Sequence, residues 1–264
     1  MTAAEIKSEL TQQLKALRLP TIRACYEEVA EMARREALTF EQYLLELTLR
    51  EQEVRHHRRI ERLLRASRLP LEKTLEAFER SRLPRKIDLT LSALVAGSFL
   101  DRSENVLAFG NPGSGKTHLL CALGHELVRQ GHRVLFTSCQ LLVQDLLAAK
   151  RDLVLPKALK RLSRYEAIIL DDIGYVEQSQ EEMEVLFTLL AYRYERGSLM
   201  ITSNLAFSQW EMIFKNPMTT AAAIDRLVHH SVILELNLPS YRLEASKRQA
   251  SGENLEGPPG TGAP

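Results

Sequence analysis

Apolar residues recur at three- and four-residue steps along the first 70 positions, then give way from position 105 to short unbroken apolar runs. In "TFEQYLLELTLREQEVRHHRRIERLLRASRLP" the positions Phe40, Tyr43, Leu44, Leu47, Val54, Ile60, Leu63 and Leu64 keep the helical period, with Thr39 as N-cap and Pro70 as the stop. An earlier helix is expected to start near Thr21, just behind Pro20. Further on, the apolar runs predict strands at 105–109, 133–137, 166–170, 198–202 and 232–236, with helices between them. Strands alternating with helices imply a parallel sheet covered on both faces. The expected fold is therefore an α/β domain with a five-stranded parallel sheet, preceded by a small all-α domain. Residues 1–70 form the helical N-terminal domain, 71–104 a connector punctuated by Pro84, 105–245 the α/β domain, and the Gly- and Pro-rich 246–264 a disordered tail.

Composition changes this picture little. A length of 264 residues suits one such domain plus a smaller one, and a net charge of +1 points to no partner by itself. No apolar run approaches the roughly 20 residues needed to span a membrane. The N-terminus carries acidic residues and no long apolar core, so it does not read as a secretion signal. Cys25, Cys121 and Cys139 are far apart and form no C-x-x-C, which argues against a disulfide framework and fits a reducing cytosol. The pairs His56 and His57, and His229 and His230, have no Cys or further His at ligand spacing, so solvated or phosphate-facing rings are the default.

The chemistry begins at "NVLAFGNPGSGKTHLL". Gly110, Asn111, Pro112, Gly113, Ser114, Gly115, Lys116 and Thr117 fit G-x-x-x-x-G-K-[ST] at every fixed position. The run before it reads as a strand and His118 to Arg129 as a helix, the context the motif needs. Glycines let the loop's N–H groups turn inward into an anion nest, and the helix N-terminus adds its positive end. Lys116 would then reach the β- and γ-phosphates of ATP and Thr117 would put its hydroxyl on Mg²⁺.

A matching acidic site follows in "YEAIILDDIGY". Asp171 and Asp172 stand at the carboxyl end of an apolar strand, the edge where open α/β sheets bind ligands. Asp171 suits the Mg²⁺ partner, and Asp172 is then placed to orient or deprotonate the attacking water. In "LMITSNLAF", Asn204 ends another strand and would contact the γ-phosphate or the water, although Thr-Ser-Asn is also ordinary turn chemistry. Arg226, in "AAAIDRLVHHSVILEL", lies on an expected helix before the last strand. On its chemistry alone it reads as a surface arginine linked to Asp225.

With these residues in hand, the chain resembles the IstB-like ATPases, transposition helper proteins of bacterial insertion sequences. They belong to the AAA+ superfamily, near the helicase loader DnaC and the initiator DnaA. The resemblance runs from about residue 10 to 245 and rests on "GNPGSGKTHLL", "AIILDDIGY", "SQEEMEVLFTLLAYRYERG", "ITSNLAFSQW", "DRLVHHS" and "SYRL". It implies an AAA+ P-loop domain, Asn204 as the sensor I residue, and Arg226 in the arginine-finger segment, with Arg242 of "SYRL" as the rival finger. It further implies ATP-dependent head-to-tail self-assembly as a ring or spiral on duplex DNA in the bacterial cytosol, and cooperation with a transposase. Many AAA+ proteins carry Asp-Glu where this chain has Asp171 and Asp172; the shorter side chain bears on turnover more than on ATP binding. The alternatives are a DnaC-like helicase loader and a small-molecule P-loop kinase, the latter disfavoured by "TSN" and "DRLVHHS".

Such a helper must touch DNA. Between Val54 and Arg68, six arginines stand against one acid, Glu61. Arg55, Arg58, Arg59, Arg62 and Arg65 follow three- and four-residue steps and so share a helix face. A second, smaller basic cluster is Arg80, Arg82, Arg85 and Lys86. Guanidinium forks match phosphate oxygens, and no aromatic interleaves them, so phosphate contact without base readout is expected. A solvated face is the plainer reading of the same residues.

Overall fold

The computed structural model of the chain describes residues 1–174, 179–210, 213, 217–241 and 243–244. The chain divides into two units, Met1–Arg62 and Leu63–Pro264. The expected tail from 246 onward, and Arg242, lie outside the described residues.

The first unit is helical. Helix α1 (Ala3–Ala16) opens on a capping box between Thr2 and Glu5, and α2 (Pro20–Arg35) carries Pro20 at its start, where the missing N–H costs nothing. Helix α3 (Phe40–Ser67) begins as expected after Thr39, whose hydroxyl accepts the Gln42 N–H at 3.3 Å while its own N–H is taken by the Gln42 side chain at 2.8 Å. Leu14, Ile22, Val29 and Leu47 form the buried core, with Tyr26, Met32 and Tyr43 packed against it. So small a core cannot cover the whole apolar stripe of α3: Phe40 is 91% and Leu44 59% exposed.

Helix α2 has no side-chain cap from its own flank. Glu51 of α3 supplies one from a distance. Its buried carboxylate accepts the N–H groups of Thr21 at 2.8 Å and Ile22 at 3.0 Å, and Nε of Arg55 at 2.8 Å. Burial alone would push this carboxyl up; the Ile22 N–H, the Arg55 guanidinium and the Thr21 N–H together outweigh it and hold the group below the usual carboxylate range. Arg55 also donates to the Arg18 carbonyl.

The second unit contains α4 (Arg85–Val95), a short α5 (Ser98–Asp101), and then the alternating elements: β1 (Asn105–Phe109), α6 (Lys116–Arg129), β2 (Val134–Ser138), α7 (Cys139–Arg151), α8 (Leu155–Leu162), β3 (Ala167–Ile173), α9 (Gln180–Arg193), β4 (Ser198–Ser203), α10 (Pro217–Val228) and β5 (Ser231–Glu235). The five strands pair in parallel in the order β2-β3-β4-β1-β5. All five expected strands are present. β3 runs three residues beyond the expected 170, through a ladder irregularity between Leu170 and Ile173. Apolar runs without alternation are what strands covered on both faces require. Val106, Leu107, Ile168, Ile169, Leu170, Met200 and Ile201 are buried in the sheet, while Leu119, Leu120, Leu123, Leu127 and Val128 of α6 are buried beside it. Each such side chain contributes about 1.5–3 kcal/mol relative to exposure.

The amino edge of the sheet is tied by buried polar side chains. Asn105 donates to the Leu227 carbonyl at 3.0 Å and accepts the Leu199 N–H at 2.9 Å, joining β1 to β4 and α10. Arg193 donates to the carbonyls of Leu162, Tyr165, Glu166 and Ser198 at 2.7–3.3 Å. Burial pushes this guanidinium down to about 10. Cys121 and Cys139 are buried and Cys25 half-buried, all three as free thiols, and burial pushes Cys121 up to about 12. No described helix is long and apolar enough to cross a membrane.

Candidate functional site

At the opposite, carboxyl edge the glycine-rich loop turns from β1 into α6. Two of its glycines are required by space as well as by backbone angle. A Cβ on Gly110 (φ +147) would lie 2.2 Å from the Leu236 carbonyl oxygen, and one on Gly113 (φ +80) would lie 2.1 Å from Oγ of Ser240. Both neighbours belong to the segment after β5, which folds across the loop: the Leu236 N–H donates to the Phe109 carbonyl at 2.7 Å and the Tyr241 N–H to the Gly113 carbonyl at 3.0 Å.

Lys116 is buried, and its ammonium donates to the carbonyls of Gly110 at 2.8 Å and Asn111 at 2.9 Å. A buried cation among the loop's own carbonyls is poised to exchange them for anionic oxygen. Next to it, the Thr117 hydroxyl donates to Oδ1 of Asp171 at 2.7 Å. The same oxygen accepts the Thr202 hydroxyl at 2.8 Å, which in turn accepts the Asp172 N–H at 2.8 Å. Asp172 has φ +58, a left-handed conformation for a non-glycine residue at the strand end. Asn204 lies beyond the end of β4 with its buried Oδ1 lacking a hydrogen-bond partner, as is the buried Oγ of Ser114.

These groups face one cavity of about 380 Å³, lined by Pro112 to His118, Asp172 and Asn204 at its polar end. The other wall comes from Lys73, Ala77, Phe78, Glu79, Arg82, Leu238 and Tyr241. Phe78 meets the His118 ring edge-on, centroids 5.1 Å apart, and the His118 ring bonds the Thr74 carbonyl at 3.0 Å. Burial lowers the His118 pKa from its ordinary value, which favours the neutral ring. Arg82 clasps the two chain segments together. It donates to the Pro239 carbonyl at 3.2 Å, pairs with Glu244 at 3.0 Å and lies 5.4 Å over the Tyr241 ring. A buried lysine, an anion nest and orphaned polar oxygens suit a nucleotide with its phosphates on the loop, in a cavity whose lining also offers the Phe78 and Tyr241 rings.

The structure thus brings Pro112 to Thr117, Asp172 and Asn204 to one cavity, with Gly110 and Asn111 bonded to Lys116 and Asp171 bonded to Thr117. It does not bring Arg226 there. Arg226 sits in the last turn of α10, donates to the Ala222 carbonyl at 2.9 Å and lies 4.9 Å over the Phe187 ring. Arg55, Arg58, Arg59, Arg62 and Arg65 are all exposed along α3, Arg55 through the Glu51 pair already described. The histidines at 229 and 230 do have a third neighbour: their ring nitrogens and the Glu195 carboxylate lie within 4.8 Å of one another on the surface, and Nδ1 of His229 is 3.2 Å from the Tyr194 hydroxyl. Thr202 and Tyr241 lie inside "TSN" and "SYRL", and Arg82 inside the second basic cluster, yet none of the three reads from sequence as lining this site. Phe78 carried no sequence motif.

Similarity to known proteins agrees with this arrangement. Residues 12–250 match the family model described as IstB-like ATP binding protein. An insertion-sequence ATP-binding protein of Sinorhizobium fredii is 44% identical over 237 residues, covering 89% of this chain and 80% of that protein. The IS21 insertion-sequence ATP-binding protein of Pseudomonas aeruginosa is 38% identical, with 91% of each chain covered. Among solved structures, the DnaC helicase loader superposes with a TM-score of 0.55 at 20% identity, covering 62% of this chain and 97% of that one. DnaA from Aquifex aeolicus, bound to AMPPCP, gives 0.53 at 18% identity, covering 72% of this chain and 58% of that one. These two show a shared fold, that of AAA+ P-loop domains. By the extent of the family match and the identity to its relatives, the chain belongs to the IstB-like ATP-binding protein family of bacterial insertion sequences.

Proposed function

We propose that this family member hydrolyses ATP, assembles head to tail on duplex DNA and presents that DNA to a transposase. The observation that carries the reading is the bond from Thr117 to Asp171 beside buried Lys116, a phosphate and metal site already in register. Thr117 and Asp171 would hold Mg²⁺, which supplies positive charge to the β- and γ-phosphate oxygens. Lys116 exchanges its two carbonyl partners for those phosphates. Asn204 orients the attacking water, and Asp172 accepts its proton as the water oxygen bonds to the γ-phosphorus and ADP leaves. Asp172 is one methylene shorter than glutamate and held left-handed, so turnover is slow.

Arg226 lies outside the chain's own cavity, which suits an arginine that reaches a neighbouring subunit's γ-phosphate. Nucleotide at a subunit interface couples ATP to assembly, and assembly multiplies weak phosphate contacts into tight DNA binding. Arg58, Arg59, Arg62 and Arg65 of α3 supply those contacts. Arg55 is left out of the test, because its loss would also uncover buried Glu51.

Three measurements test the reading. Lys116→Ala should abolish ATP binding and with it stable DNA binding; wild-type affinity in that variant would overturn the site. Replacing Arg58, Arg59 and Arg62 with glutamine should weaken all duplex sequences alike and flatten log affinity against log salt by roughly 0.9 per lost contact. An unchanged slope would return α3 to a solvated or protein-docking face. Recovery of a transposase rather than a helicase on the full chain separates transposition from helicase loading.

A further inference from the structure

The irregularity in β3 has a specific partner. Leu170 pairs with Ile201 and Ile173 with Ser203, so two residues of β3, Asp171 and Asp172, face the single residue Thr202 of β4. That is a β-bulge, a device that re-aims side chains at the cost of ladder hydrogen bonds. Thr202 is fully buried, and its hydroxyl takes up what the bulge displaces. It accepts the Asp172 N–H at 2.8 Å, and its one proton goes to Oδ1 of Asp171 at 2.8 Å. The direction of both bonds is fixed, since a carboxylate only accepts and a backbone N–H only donates. Thr117 bonds the same Oδ1 at 2.7 Å. The two hydroxyls therefore fix the rotation of the Asp171 carboxyl through one oxygen, one from the phosphate loop and one from β4. The bond to the N–H of Asp172 also helps hold that residue at φ +58.

We infer that Thr202 is a positioning residue for magnesium, setting the Asp171 carboxylate for the cation through its hydroxyl and holding Asp172 beside it. The inference rests on the Mg²⁺·ATP reading of the cavity. Hydrogen-bond partners of metal-binding carboxylates commonly govern metal affinity or activity by about 10–100-fold. Valine has the shape of threonine without the hydroxyl, and serine keeps the hydroxyl without the methyl group, so the pair isolates the hydrogen bonds from the packing.

The experiment is a calorimetric titration of the full chain with AMPPCP, in EDTA and then across a Mg²⁺ series, for wild type, Thr202→Val and Thr202→Ser. Binding in EDTA, together with the thermal melt, reports that the fold and the phosphate loop are intact. Thr202→Val should match wild type in EDTA but need about 10-fold or more Mg²⁺ for half-maximal enhancement of binding. Thr202→Ser should return that requirement to near the wild-type value. If valine does not fold, Thr202→Ala carries the same measurement. A lower melting temperature with an unchanged Mg²⁺ requirement would make Thr202 a packing residue and overturn the inference, as would a serine variant as impaired as the valine one. Lys116→Ala, run alongside, separates the two levels. If wild type binds AMPPCP no better than Lys116→Ala, the ATP reading itself falls. If wild type binds, Lys116→Ala does not, and Thr202→Val behaves as wild type, only the role of Thr202 falls.

Discussion

The two edges of the parallel sheet use buried polar groups in opposite ways. At the amino edge, Arg193 and Asn105 spend their hydrogen bonds on the chain's own backbone: four carbonyls for the guanidinium, and one donor and one acceptor for the amide. Two atoms here, Nε of Arg193 and Oγ of Ser198, have no partner, and neither residue lines the cavity at the phosphate loop. At the carboxyl edge, Ser114 Oγ and Asn204 Oδ1 are buried without partners beside a cavity, and Asp172 sits left-handed at its rim. Buried polar groups normally find partners within the fold. Two that fail to do so, Ser114 Oγ and Asn204 Oδ1, border the cavity of the phosphate loop, where a ligand can supply the partner. The amino edge holds the sheet together, and the carboxyl edge keeps bonding capacity in reserve for nucleotide.

This contrast can be tested by asking which edge loses stability and which loses chemistry. The largest effect is expected at Arg193. Arg193→Met removes a donor from four carbonyls, of which Leu162 and Glu166 keep a backbone N–H. At about 1–3 kcal/mol for each group left unsatisfied, it should cost about 2–6 kcal/mol, enough to lower the melting temperature sharply or prevent folding. A loss within experimental error would mean the amino edge is not held by this residue. Asn204→Ala should do the reverse. Its Oδ1 has no protein partner, so stability should hardly change, while ATP hydrolysis falls by about 100-fold if the amide orients charge in the transition state. Asp172→Gly sharpens the point further. It removes both the carboxylate and the left-handed strain, so the variant should melt higher by about 1 kcal/mol of stability and yet not hydrolyse ATP. A less stable variant would show that what the Asp172 side chain contacts outweighs the strain of its backbone.

The smallest effect concerns His118. Its folded-state pKa is lowered, so the unfolded chain binds more protons through the window just below the ordinary histidine value. Stability should therefore rise with pH across that window and fall as pH drops through it, more steeply in wild type than in His118→Gln. Melting curves at closely spaced pH values check the difference in slope; equal slopes would exclude His118 as the titrating group.

The elements of the second unit were legible because each strand is a short apolar run closed by polar or small residues, and a strand buried on both faces needs nothing more to announce it. The phosphate loop was legible for a related reason. Its glycines answer a local demand, a backbone turned where no Cβ fits, and local demands leave local signatures. What stayed hidden depends on distance along the chain. Thr202 matters because β4 lies beside the bulge in β3, and nothing in "ITSN" says which strand is its neighbour. Phe78 and Arg82 lie in what reads as a connector, and only folding brings them to Tyr241. Arg55 shows the same limit from the other side. The spacing of arginines puts it on a basic face, but Glu51, four residues back, turns it into part of a helix cap.

The Arg82 clasp also dictates when in the life of the protein the cavity can exist. Its two halves, Arg82 and Pro239, are 157 residues apart, and the later half, with Leu236, Tyr241 and Glu244, is made only after all five strands. During synthesis the phosphate loop leaves the ribosome long before the residues that wall it. A nascent chain carrying an intact "GNPGSGKT" therefore lacks both Tyr241 and the backbone that lies across Gly113. Nucleotide capture, and with it the assembly proposed above, is deferred until the segment after β5 has been made.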